Sequence, residues 1–583
     1  MHTSGEKKFK GNPITTEIIR NAFISAAKEM NECLYRSSYS PIIYESKDCA
    51  AGLFNENADV LGLSVGVPMF LGNLEVTIKT TTEYIGGVEN YNEGDVYVIN
   101  DSYMTGAHLN DMTFLSPIFH EGKLCGFTAN RAHWLDIGSK DPGYPLDSTE
   151  IYQEGLRIPP MKIMDQGIIR KDLADMICRN TRFYRSAMGD MNAQIAACKT
   201  GEKRFIEIME RFGYDSVKAS IHDIFLQSEI MEKEVVKSFP DGTYHASGCL
   251  DNDGTVMKPI LVNLTITIDN GEMTIDLDGS NSSAKGSTNC GFAQTISAAR
   301  MAYKMIVAPD APVNGGCFKH LQIKAPKKSI FTAEEPSACA WYFSSLGLLI
   351  DLVPKALEEA CPERVSAAHY GDSMVVYLSG YDEKRTQNYL YVEATVGGWG
   401  ACKDSDGADA LINVANGAYK NIPIEVFENN YPVRINRFQL RQDSGGPGRN
   451  RGGLGIIKEY EALFEESYLY LWFERSITPA WGIKGGKDGA KPNVVIRKGQ
   501  KIKETLKTNA YRMEKGTIVT IYTGGGGGYG NPLDRDTEKV LEDYRMGYIS
   551  HEHAEKEYGI VLDESGTIDM SASRHSRLRK QYL

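Results

Sequence analysis

Residues 97–160 decide the predicted fold of this chain, and they read YVINDSYMTGAHLNDMTFLSPIFHEGKLCGFTANRAHWLDIGSKDPGYPLDSTEIYQEGLRIPP. Two stretches within them, Met112–Phe119 and Leu124–Trp134, are rich in residues that favour β-strands. The short connection between these stretches contains Gly122, which tolerates the positive φ of a tight turn. The sequence therefore predicts a β-hairpin that has His108, Asp111 and His133 at its open end.

Pairing across this hairpin determines which polar side chains meet. If the turn has two residues, His133 lies opposite Asn110, and Asp111 lies opposite Ala132. His108 then falls on the same face as His133, since side chains alternate along a strand. Asp111 joins the two histidines only if the chain curves as it enters the first strand. We therefore expect a curved entry loop over residues 108–111.

Two histidines and a carboxylate that converge on one point are typical ligands of a catalytic metal ion. A His-x-x-Asp pair alone often occurs by chance, and an isolated histidine is usually not a metal ligand. The second histidine, which the hairpin brings back to the first pair, favours the metal interpretation. A metal held by imidazole and carboxylate groups lowers the pKa of bound water and polarises a carbonyl or phosphoryl oxygen. That chemistry suits hydrolysis at an amide-like carbon.

Further segments accompany the hairpin, in a fixed order, from near the start of the chain to near its end. They are PITTEIIRNAF, AAKEMN, YSPIIYESKDCAAGLF, INDSYMTGAHLNDM, RAHWLDIGSKDPGYP, STEIYQEGLRIPP, GDMNAQIAAC, FPDGTY, DAPVNGGCFK, RQDSGGPGRNRGGLG, TGGGGGYGNP and YGIVLDE. With these segments the chain resembles the hydantoinase B/oxoprolinase family. That family includes the B subunits of ATP-dependent hydantoinases and lactamases, the C-terminal half of 5-oxoprolinases, and related subunits of acetone and acetophenone carboxylases.

The resemblance implies a metal site whose four protein ligands are Asp48, His108, Asp111 and His133. One divalent ion of Zn, Mn or Fe suits nitrogen and oxygen ligands of this kind, and the sequence does not choose among the three. The chain departs from the family just before the first histidine. It has Asn-Asp-Ser at 100–102, where the family often has Asn-Asp-Pro, and Thr-Gly-Ala at 105–107, where the family often has Gly-Gly. These departures leave the ligands intact and bear on the type of substrate.

The resemblance also implies a second polypeptide. In the resembled hydrolases, an A-type subunit uses ATP to phosphorylate the carbonyl oxygen of a cyclic amide, and the B subunit hydrolyses that intermediate. This chain has no P-loop ending in Gly-Lys-Ser/Thr, which agrees with ATP being bound by the partner. We therefore expect a hetero-oligomer, of α2β2 composition, with an A-type ATP-binding subunit.

Three further acidic residues, Asp136, Asp101 and Glu154, are candidates for catalysis near the predicted metal site. Asp136 is expected to orient a histidine ligand or a water molecule. Asp101 and Glu154 are candidate general acids or bases. The alternative for each of the three is an ordinary role in loop structure.

Composition limits the expected partners. The chain has 583 residues and a formal net charge of -12, which argues against nucleic acid or an anionic membrane as the main partner. The sequence contains no apolar stretch of transmembrane length, and its N-terminus lacks the apolar core of a signal peptide. The eleven cysteines are scattered without a C-x-x-C pair, as is usual for free thiols in a reducing compartment. We expect a cytoplasmic protein that acts on a small molecule, without nucleic acid or membrane partners.

The periodicity of the sequence predicts an α+β fold with several lobes. Helices are expected near residues 15–35, 73–86, 293–307 and 343–360, and within a mostly helical segment, 171–236, in which Gly213 ends one helix. We predict four regions: a metal-binding catalytic region at 1–235, a central α/β lobe at 236–430, a β-rich lobe with glycine-rich segments at 431–535, and a helical tail at 536–583.

Two glycine-rich segments, 445–448 and 524–528, permit two interpretations. Their backbone N–H groups, with Arg449 or Arg451, are suited to holding the phosphate of an activated intermediate. The alternative is that the glycines only allow tight turns between strands. Neither segment continues as a P-loop.

Three function classes follow from the sequence. The first is a subunit of an ATP-dependent cyclic-amide hydrolase of the hydantoinase, oxoprolinase or lactamase type. The second is a subunit of an ATP-dependent ketone carboxylase, in which a metal would stabilise an enolate. The third is a scaffold in which the metal only fastens the hairpin, without exchangeable water.

Overall fold

The computed structural model describes residues 9–563 and 566–581 and has an α+β fold, as the sequence predicts. Its helices are α1 (Pro13–Ser37), α2 (Pro41–Tyr44), α3 (Pro68–Leu71), α4 (Leu74–Tyr84), α5 (Ser102–Thr105), α6 (Lys171–Arg179), α7 (Tyr184–Phe212), α8 (Tyr214–Lys237), α9 (Phe292–Val307), α10 (Tyr342–Ala356), α11 (Ile424–Asn430), α12 (Thr537–Arg545), α13 (His551–Tyr558) and α14 (Met570–Gln581). Helices α1, α4, α9 and α10 confirm the predicted helical segments. Gly213, with φ 78°, separates α7 from α8.

The first sheet carries the hairpin. Its strands are β1 (Cys49–Asn55), β2 (Val60–Leu63), β3 (Val96–Ile99), β4 (Asp111–His120), β5 (Lys123–His133), β6 (Met161–Asp165) and β7 (Ile168–Ile169), in the spatial order β2-β1-β5-β4-β3-β6-β7. All of these pairings are antiparallel. Strand β5 therefore lies in the interior of the sheet, between β1 and β4.

Three further sheets follow along the chain. The second sheet contains β8 (Gly242–Leu250), β9 (Ile260–Asp269), β10 (Glu272–Asp276) and β11 (Leu321–Lys324). The third sheet contains β12 (Val375–Asp382), β13 (Gln387–Ala394), β16 (Ser467–Trp472) and β19 (Lys507–Met513). The fourth sheet contains β14 (Val433–Leu440), β15 (Ile456–Ala462), β17 (Asn493–Lys498), β18 (Lys501–Glu504) and β20 (Ile518–Tyr522). The strands of residues 431–530 thus divide between two sheets. The lobe boundaries at residues 235, 430 and 535 stay a prediction.

Helix α10 connects the first sheet to the other layers. It is apolar on nearly every side, and fourteen of its fifteen residues are buried, as expected for a helix enclosed by other elements. Its apolar residues belong to the same core cluster as those of α9 and of strands β8 and β9. At its start, the indole of Trp341 stacks on that of Trp472 in β16, with ring centroids 4.8 Å apart. This packing fixes Tyr342, the first residue of α10, against the open end of the hairpin.

Among the described residues, no helix is both long enough and apolar enough to cross a bilayer. All eleven cysteines fall within the described residues, and none forms a disulfide.

Candidate metal centre

The candidate site lies at one end of three neighbouring strands. Asp111 is the first residue of β4 and pairs directly with His133, the last residue of β5. Asp48 immediately precedes β1, and its carbonyl oxygen accepts a 3.1 Å hydrogen bond from the backbone N–H of His133. Strand pairing therefore brings the two carboxylates to either side of one histidine.

The hairpin register differs by one residue from the register expected from the turn. Close to the turn, His120 pairs with Lys123 as expected, but a β-bulge between Ile118 and Phe119 shifts the pairing beyond it. Asp111 consequently lies opposite His133, not opposite Ala132. A bulge inserts one extra residue into one strand and so changes which side chains share a face. The bulge, rather than a curve at residue 111 itself, places the carboxylate beside the histidine.

His108 reaches the same point from the turn that precedes β4. The backbone N–H of Asp111 donates to the carbonyl of His108 (3.1 Å), which closes the turn. His108 Nε2 then lies 3.1 Å from Asp111 Oδ1. His108, Asp111 and His133 each offer a ligand atom within 4.8 Å of the other two, and all three side chains are buried.

These side chains line a small cavity of about 40 Å³. Aromatic rings form much of its wall, and no lysine or arginine is among its lining residues. The lining residues are Asp48, Met69, Phe70, His108, Asp111, His133, Tyr144, Tyr342, Phe343, Ser373, Val375, Val392, Ala394, Asn416 and Tyr419. Asp48 thus lies on the wall of the same cavity as the three clustered residues. Its role as a fourth metal ligand stays a prediction.

Burial and mutual repulsion govern the charges of this cluster. Burial, reinforced by the Asp111 carboxylate, raises the pKa of Asp48 to about 8. Burial, together with the nearby His108, lowers the pKa of His133 to about 3. Burial also disfavours protonation of His108, but the Asp111 carboxylate outweighs it and raises the His108 pKa. Two carboxylates buried this close together repel each other, which is a condition that a bound cation relieves.

The hydrogen bonds of the cluster fit a metal ion. Within the described part of the chain, neither ring nitrogen of His133 has a hydrogen-bond partner, although both are buried. An unpaired buried polar atom is costly, and a bound ion or water would satisfy it. His108 Nδ1 lies 3.0 Å from the carbonyl oxygen of Ala340. Since a carbonyl only accepts, Nδ1 carries the proton of a neutral ring and Nε2 keeps a free lone pair.

Comparison with known proteins identifies the group to which this chain is related. The model of the hydantoinase B/oxoprolinase family matches residues 12–532. The chain belongs to the hydantoinase B/oxoprolinase family. It is 33% identical to the putative B subunit of a D-/L-hydantoinase from Pseudomonas sp. (strain NS671), over 97% of this chain and 98% of that protein.

Two solved structures share the fold of this family member. One is the ATP-dependent caprolactamase from Pseudomonas jessenii, with a TM-score of 0.88, 29% identity, and coverage of 97% of this chain and 99% of that one. The other is a nucleotide-free acetone carboxylase, with a TM-score of 0.90, 20% identity, and coverage of 98% and 83%. At that lower identity the likeness to the acetone carboxylase shows the fold alone.

Glu154, predicted as an acid/base candidate, lies behind the cavity wall rather than on it. Its carboxylate accepts hydrogen bonds from the backbone N–H groups of Cys339 (2.9 and 3.0 Å) and Ala340 (2.9 Å) and from the Ser148 hydroxyl (2.6 Å). Burial raises its pKa to about 7, against the lowering effect of these bonds. Because the Ala340 carbonyl contacts His108, this carboxylate supports the backbone that orients a proposed ligand. Its role in proton transfer stays a prediction.

Asp136 and Asp101 are both engaged in local structure. The Asp136 carboxylate accepts bonds from the Arg182 guanidinium (2.7 Å) and from backbone N–H groups, including that of Gly143, next to Tyr144 on the cavity wall. Asp101 caps α5 and lies 3.3 Å from Arg157. Neither residue is among those that line the cavity. The contacts fit the loop-structure alternative, and the catalytic roles stay predictions.

Sequence reasoning missed the cavity residues that come from the second half of the chain. The Tyr342 hydroxyl donates a 2.8 Å hydrogen bond to Asp111 Oδ2 from 231 residues away. Ser373, Asn416 and Tyr419 also line the cavity. None of these residues stands in a pattern that indicates a site, and only the fold brings them together.

The glycine-rich segment 524–528 lies in tightly layered backbone. A Cβ added to Gly525 would be 1.7 Å from the Ser444 carbonyl oxygen, and one added to Gly526 would be 1.9 Å from that of Trp399. The absence of a side chain is therefore required by packing at these positions. Arg451, next to the other segment, pairs with Asp409 at 3.0 Å. Close packing thus accounts for the glycines of 525–528, and a phosphate contact stays a prediction.

Proposed function

We propose that this protein is the metal-dependent subunit of an ATP-dependent cyclic-amide hydrolase of the hydantoinase, oxoprolinase or lactamase type. The observation that carries the proposal is the convergence of Asp48, His108, Asp111 and His133 on one buried cavity, with both His133 nitrogens lacking partners among the described residues. Those four side chains would hold one divalent ion of Zn, Mn or Fe. The names of its relatives, a hydantoinase subunit and a caprolactamase, support the choice of reaction.

The surrounding residues keep these four side chains in place. The Ala340 carbonyl holds the ring of His108, and the Tyr342 hydroxyl holds Asp111. A divalent ion at this point would polarise the substrate oxygen and lower the pKa of water. The residues that line the cavity are all buried, and surroundings of this kind strengthen the electrostatic interactions within the cavity.

We propose that ATP is used on a partner, an A-type subunit with which this chain forms an α2β2 hetero-oligomer in the cytoplasm. The partner would phosphorylate the carbonyl oxygen of the cyclic amide, and this chain would hydrolyse that intermediate. In total, the cyclic amide, ATP and two water molecules give the ring-opened amino acid, ADP and phosphate. The ring C–N bond breaks, and the nitrogen leaves with a proton. The relatives named as subunits support the existence of a partner.

A ketone carboxylase is the second candidate. The acetone carboxylase shares this fold, at a TM-score of 0.90 and over 83% of that chain, so the fold is compatible with the carboxylase reaction as an alternative. The same four side chains would then hold a metal ion that stabilises an enolate instead of assisting hydrolysis. The substrate panel described next separates the two reactions.

The test uses this chain purified together with an A-type partner. Hydantoin, 5-oxoproline, a lactam, and acetone with bicarbonate are each offered with ATP, and ATP loss, product and metal content are measured on one preparation. We expect ring opening that is coupled to ATP use and lost when the metal is stripped. Carboxylated acetone would instead assign the chain to the carboxylases. Metal present without turnover of any substrate would contradict both enzymatic proposals.

A pair of histidine variants tests the assignment of the site. His108→Ala should lose both the metal and turnover, because it removes a buried ligand. His120→Ala is the matched control, since His120 lies at the opposite end of the same strand, beside the hairpin turn. A His108→Ala protein that keeps its metal and full activity would refute the assignment.

A further inference from the structure

We propose that the side-chain amide of Asn416 donates a hydrogen bond to the carbonyl-derived oxygen of the substrate. We further propose that Ser373 is the residue that positions this amide. The inference rests on the proposed function and adds the residue that recognises the reacting group. Asn416 lines the metal cavity together with Asp48, His108, Asp111 and His133, although it lies in a distant part of the sequence.

The orientation of the Asn416 amide follows from its contact with Ser373. The Ser373 hydroxyl lies 2.9 Å from Asn416 Oδ1, and a side-chain amide oxygen can only accept, so the hydroxyl donates. This bond occupies the oxygen end of the amide and leaves the two N–H donors of Nδ2 at the other end. No acceptor for these donors occurs among the described residues, and Nδ2 is not one of the fully buried atoms that lack a partner, while Asn416 itself lines the cavity.

The backbone of Asn416 is held rigidly beside the proposed metal ligands. The neighbouring Ala415 carbonyl accepts a bond from the N–H of Met69 (3.1 Å), and Ala418 donates to the Gly66 carbonyl (3.3 Å). The N–H of Lys420 donates to the carbonyl of Ser46, two residues before Asp48 (2.8 Å). These bonds attach both ends of the turn to segments that flank the site. A donor fixed in this way needs no reorganisation when charge develops on an oxygen.

The other polar residues of the cavity wall are less suited to this role. The Tyr342 hydroxyl already donates to Asp111, and the Tyr419 hydroxyl lies within 3.4 Å of the Val392 carbonyl. Tyr144 also lines the cavity, and its ring packs against His108 and His133, with centroids 4.8 and 5.6 Å apart. Its hydroxyl is a competing donor, but no hydrogen bond among the described residues holds it in place, whereas Ser373 fixes the Asn416 amide. With no lysine or arginine on the wall, the amide is the donor that the geometry favours.

The expected effect is that of an oxyanion donor. In the phosphorylated intermediate this oxygen joins the ring carbon to phosphorus. The first water adds to the carbon, the ring C–N bond breaks, and an acyl phosphate remains; when the second water attacks, the C–O bond to phosphate breaks and negative charge grows on this oxygen as phosphate leaves. A fixed N–H donor stabilises that charge more than it stabilises the ground state. Removing one such donor typically lowers kcat by about 10²- to 10³-fold. Asn416→Asp keeps the shape of the side chain, replaces the donors with an acceptor, and adds a negative charge. We therefore expect a loss of kcat at least this large for Asn416→Asp and a comparable loss for Asn416→Ala.

The test compares single and double variants in the complex with the A-type partner. Ser373→Ala should lower kcat less than Asn416→Ala does, because the amide remains but is no longer held. The Ser373→Ala/Asn416→Ala double variant should be no slower than Asn416→Ala alone, since the hydroxyl acts only through the amide. Metal content should stay at the wild-type level in all of them. Asn436→Asp, the same change at an exposed position, is the control.

Each outcome decides between the proposals. A wild-type complex that turns over a cyclic amide while Asn416→Asp keeps its kcat would overturn this inference and leave the proposed function standing. Loss of kcat in Tyr144→Phe but not in Asn416→Ala would overturn it as well, since the hydroxyl would then be the donor. Additive losses of kcat in the Ser373→Ala/Asn416→Ala double variant would show that Ser373 does not act through the Asn416 amide. A wild-type complex that neither binds hydantoin or a lactam, measured calorimetrically, nor turns them over would overturn both proposals.

Discussion

The hydroxyl of Tyr342 gives a quantitative test of the metal centre that requires neither substrate nor partner. It donates a 2.8 Å hydrogen bond to Asp111 Oδ2, and both residues are buried. Tyr342→Phe removes only this oxygen and leaves the ring in its packed position. Asp111 would then lose the donor that orients its carboxylate, and no water can replace that donor without entering the protein interior.

The magnitude follows from the charge of the acceptor. A hydrogen bond to a charged group contributes about 1.5–3 kcal/mol, and each 1.4 kcal/mol is about a tenfold change in affinity. Removing a group that orients a metal ligand typically weakens metal binding about 10- to 100-fold. We therefore expect the metal Kd of Tyr342→Phe to rise by about 10- to 100-fold.

The assay is a competition titration of the isolated chain against a chromophoric chelator, with Zn, Mn and Fe(II) in turn. Tyr370→Phe is the matched control. Its hydroxyl also makes a buried 2.8 Å hydrogen bond, to the Thr395 carbonyl, but Tyr370 is not among the residues lining the metal cavity. An unchanged Kd in Tyr342→Phe, or an equal rise in both variants, would refute the reasoning.

Two further predictions concern stability and are measured by urea unfolding. Glu393→Gln should lower the free energy of unfolding by about 3–5 kcal/mol, because it leaves the buried Lys458 ammonium, which lies 2.7 Å from Glu393 Oε1, without its anion. The Glu393→Gln/Lys458→Met double variant should recover much of this loss, and equal destabilisation of both variants would contradict the explanation. Burial raises the pKa of Asp190 from 3.8 to about 6. Between these values the folded protein keeps a proton on Asp190 that the unfolded chain has lost, so the free energy of unfolding should fall by up to about 3 kcal/mol as pH rises from about 4 to 6. Asp190→Asn should lack this part of the pH dependence, and a slope equal to that of the wild type would contradict it.

The parts of the fold that the sequence predicts are those encoded locally. Helix α1 follows from an apolar face that recurs at helical spacing and is buried over its whole length. Its start is capped by Asn12, whose side chain accepts the N–H groups of Ile14 and Thr15, and not by Thr15 or Thr16 as the sequence suggests. The hairpin follows from its turn, and the pairing next to the turn is as expected. Beyond Ile118 the pairing is shifted by the bulge, within a strand pair that β1 and β3 constrain on its two sides. The hairpin sequence alone does not contain that constraint.

The candidate site shows the same division between local and distant information. One turn joins His108 to Asp111, and one hairpin joins them to His133, so the spacing of the three residues in the sequence predicts that they lie close together. Asp48 reaches the site through a strand pairing across some eighty residues, and the sequence indicates it only through family resemblance. Tyr342 and Asn416 depend on the packing of α10 and of the third sheet against the first. No periodicity or spacing encodes that packing, and the sequence therefore does not reveal their place at the site.

The distribution of the site along the chain suggests how one fold serves different reactions. The proposed metal ligands lie within residues 48–133, at one end of three neighbouring strands of one sheet, whereas Tyr342, Ser373 and Asn416 come from the segment 342–419 and cover them. A change at Ser373 or Asn416 would alter which oxygen or ring the cavity accepts, whereas the backbone of Asp111 and His133 is fixed by strand pairing that does not involve this segment. Function lies in such sites more than in folds. The shared fold of the caprolactamase and the acetone carboxylase is therefore compatible with different chemistry. The residues to exchange in a test of specificity are those of the segment 342–419 that covers the proposed ligands.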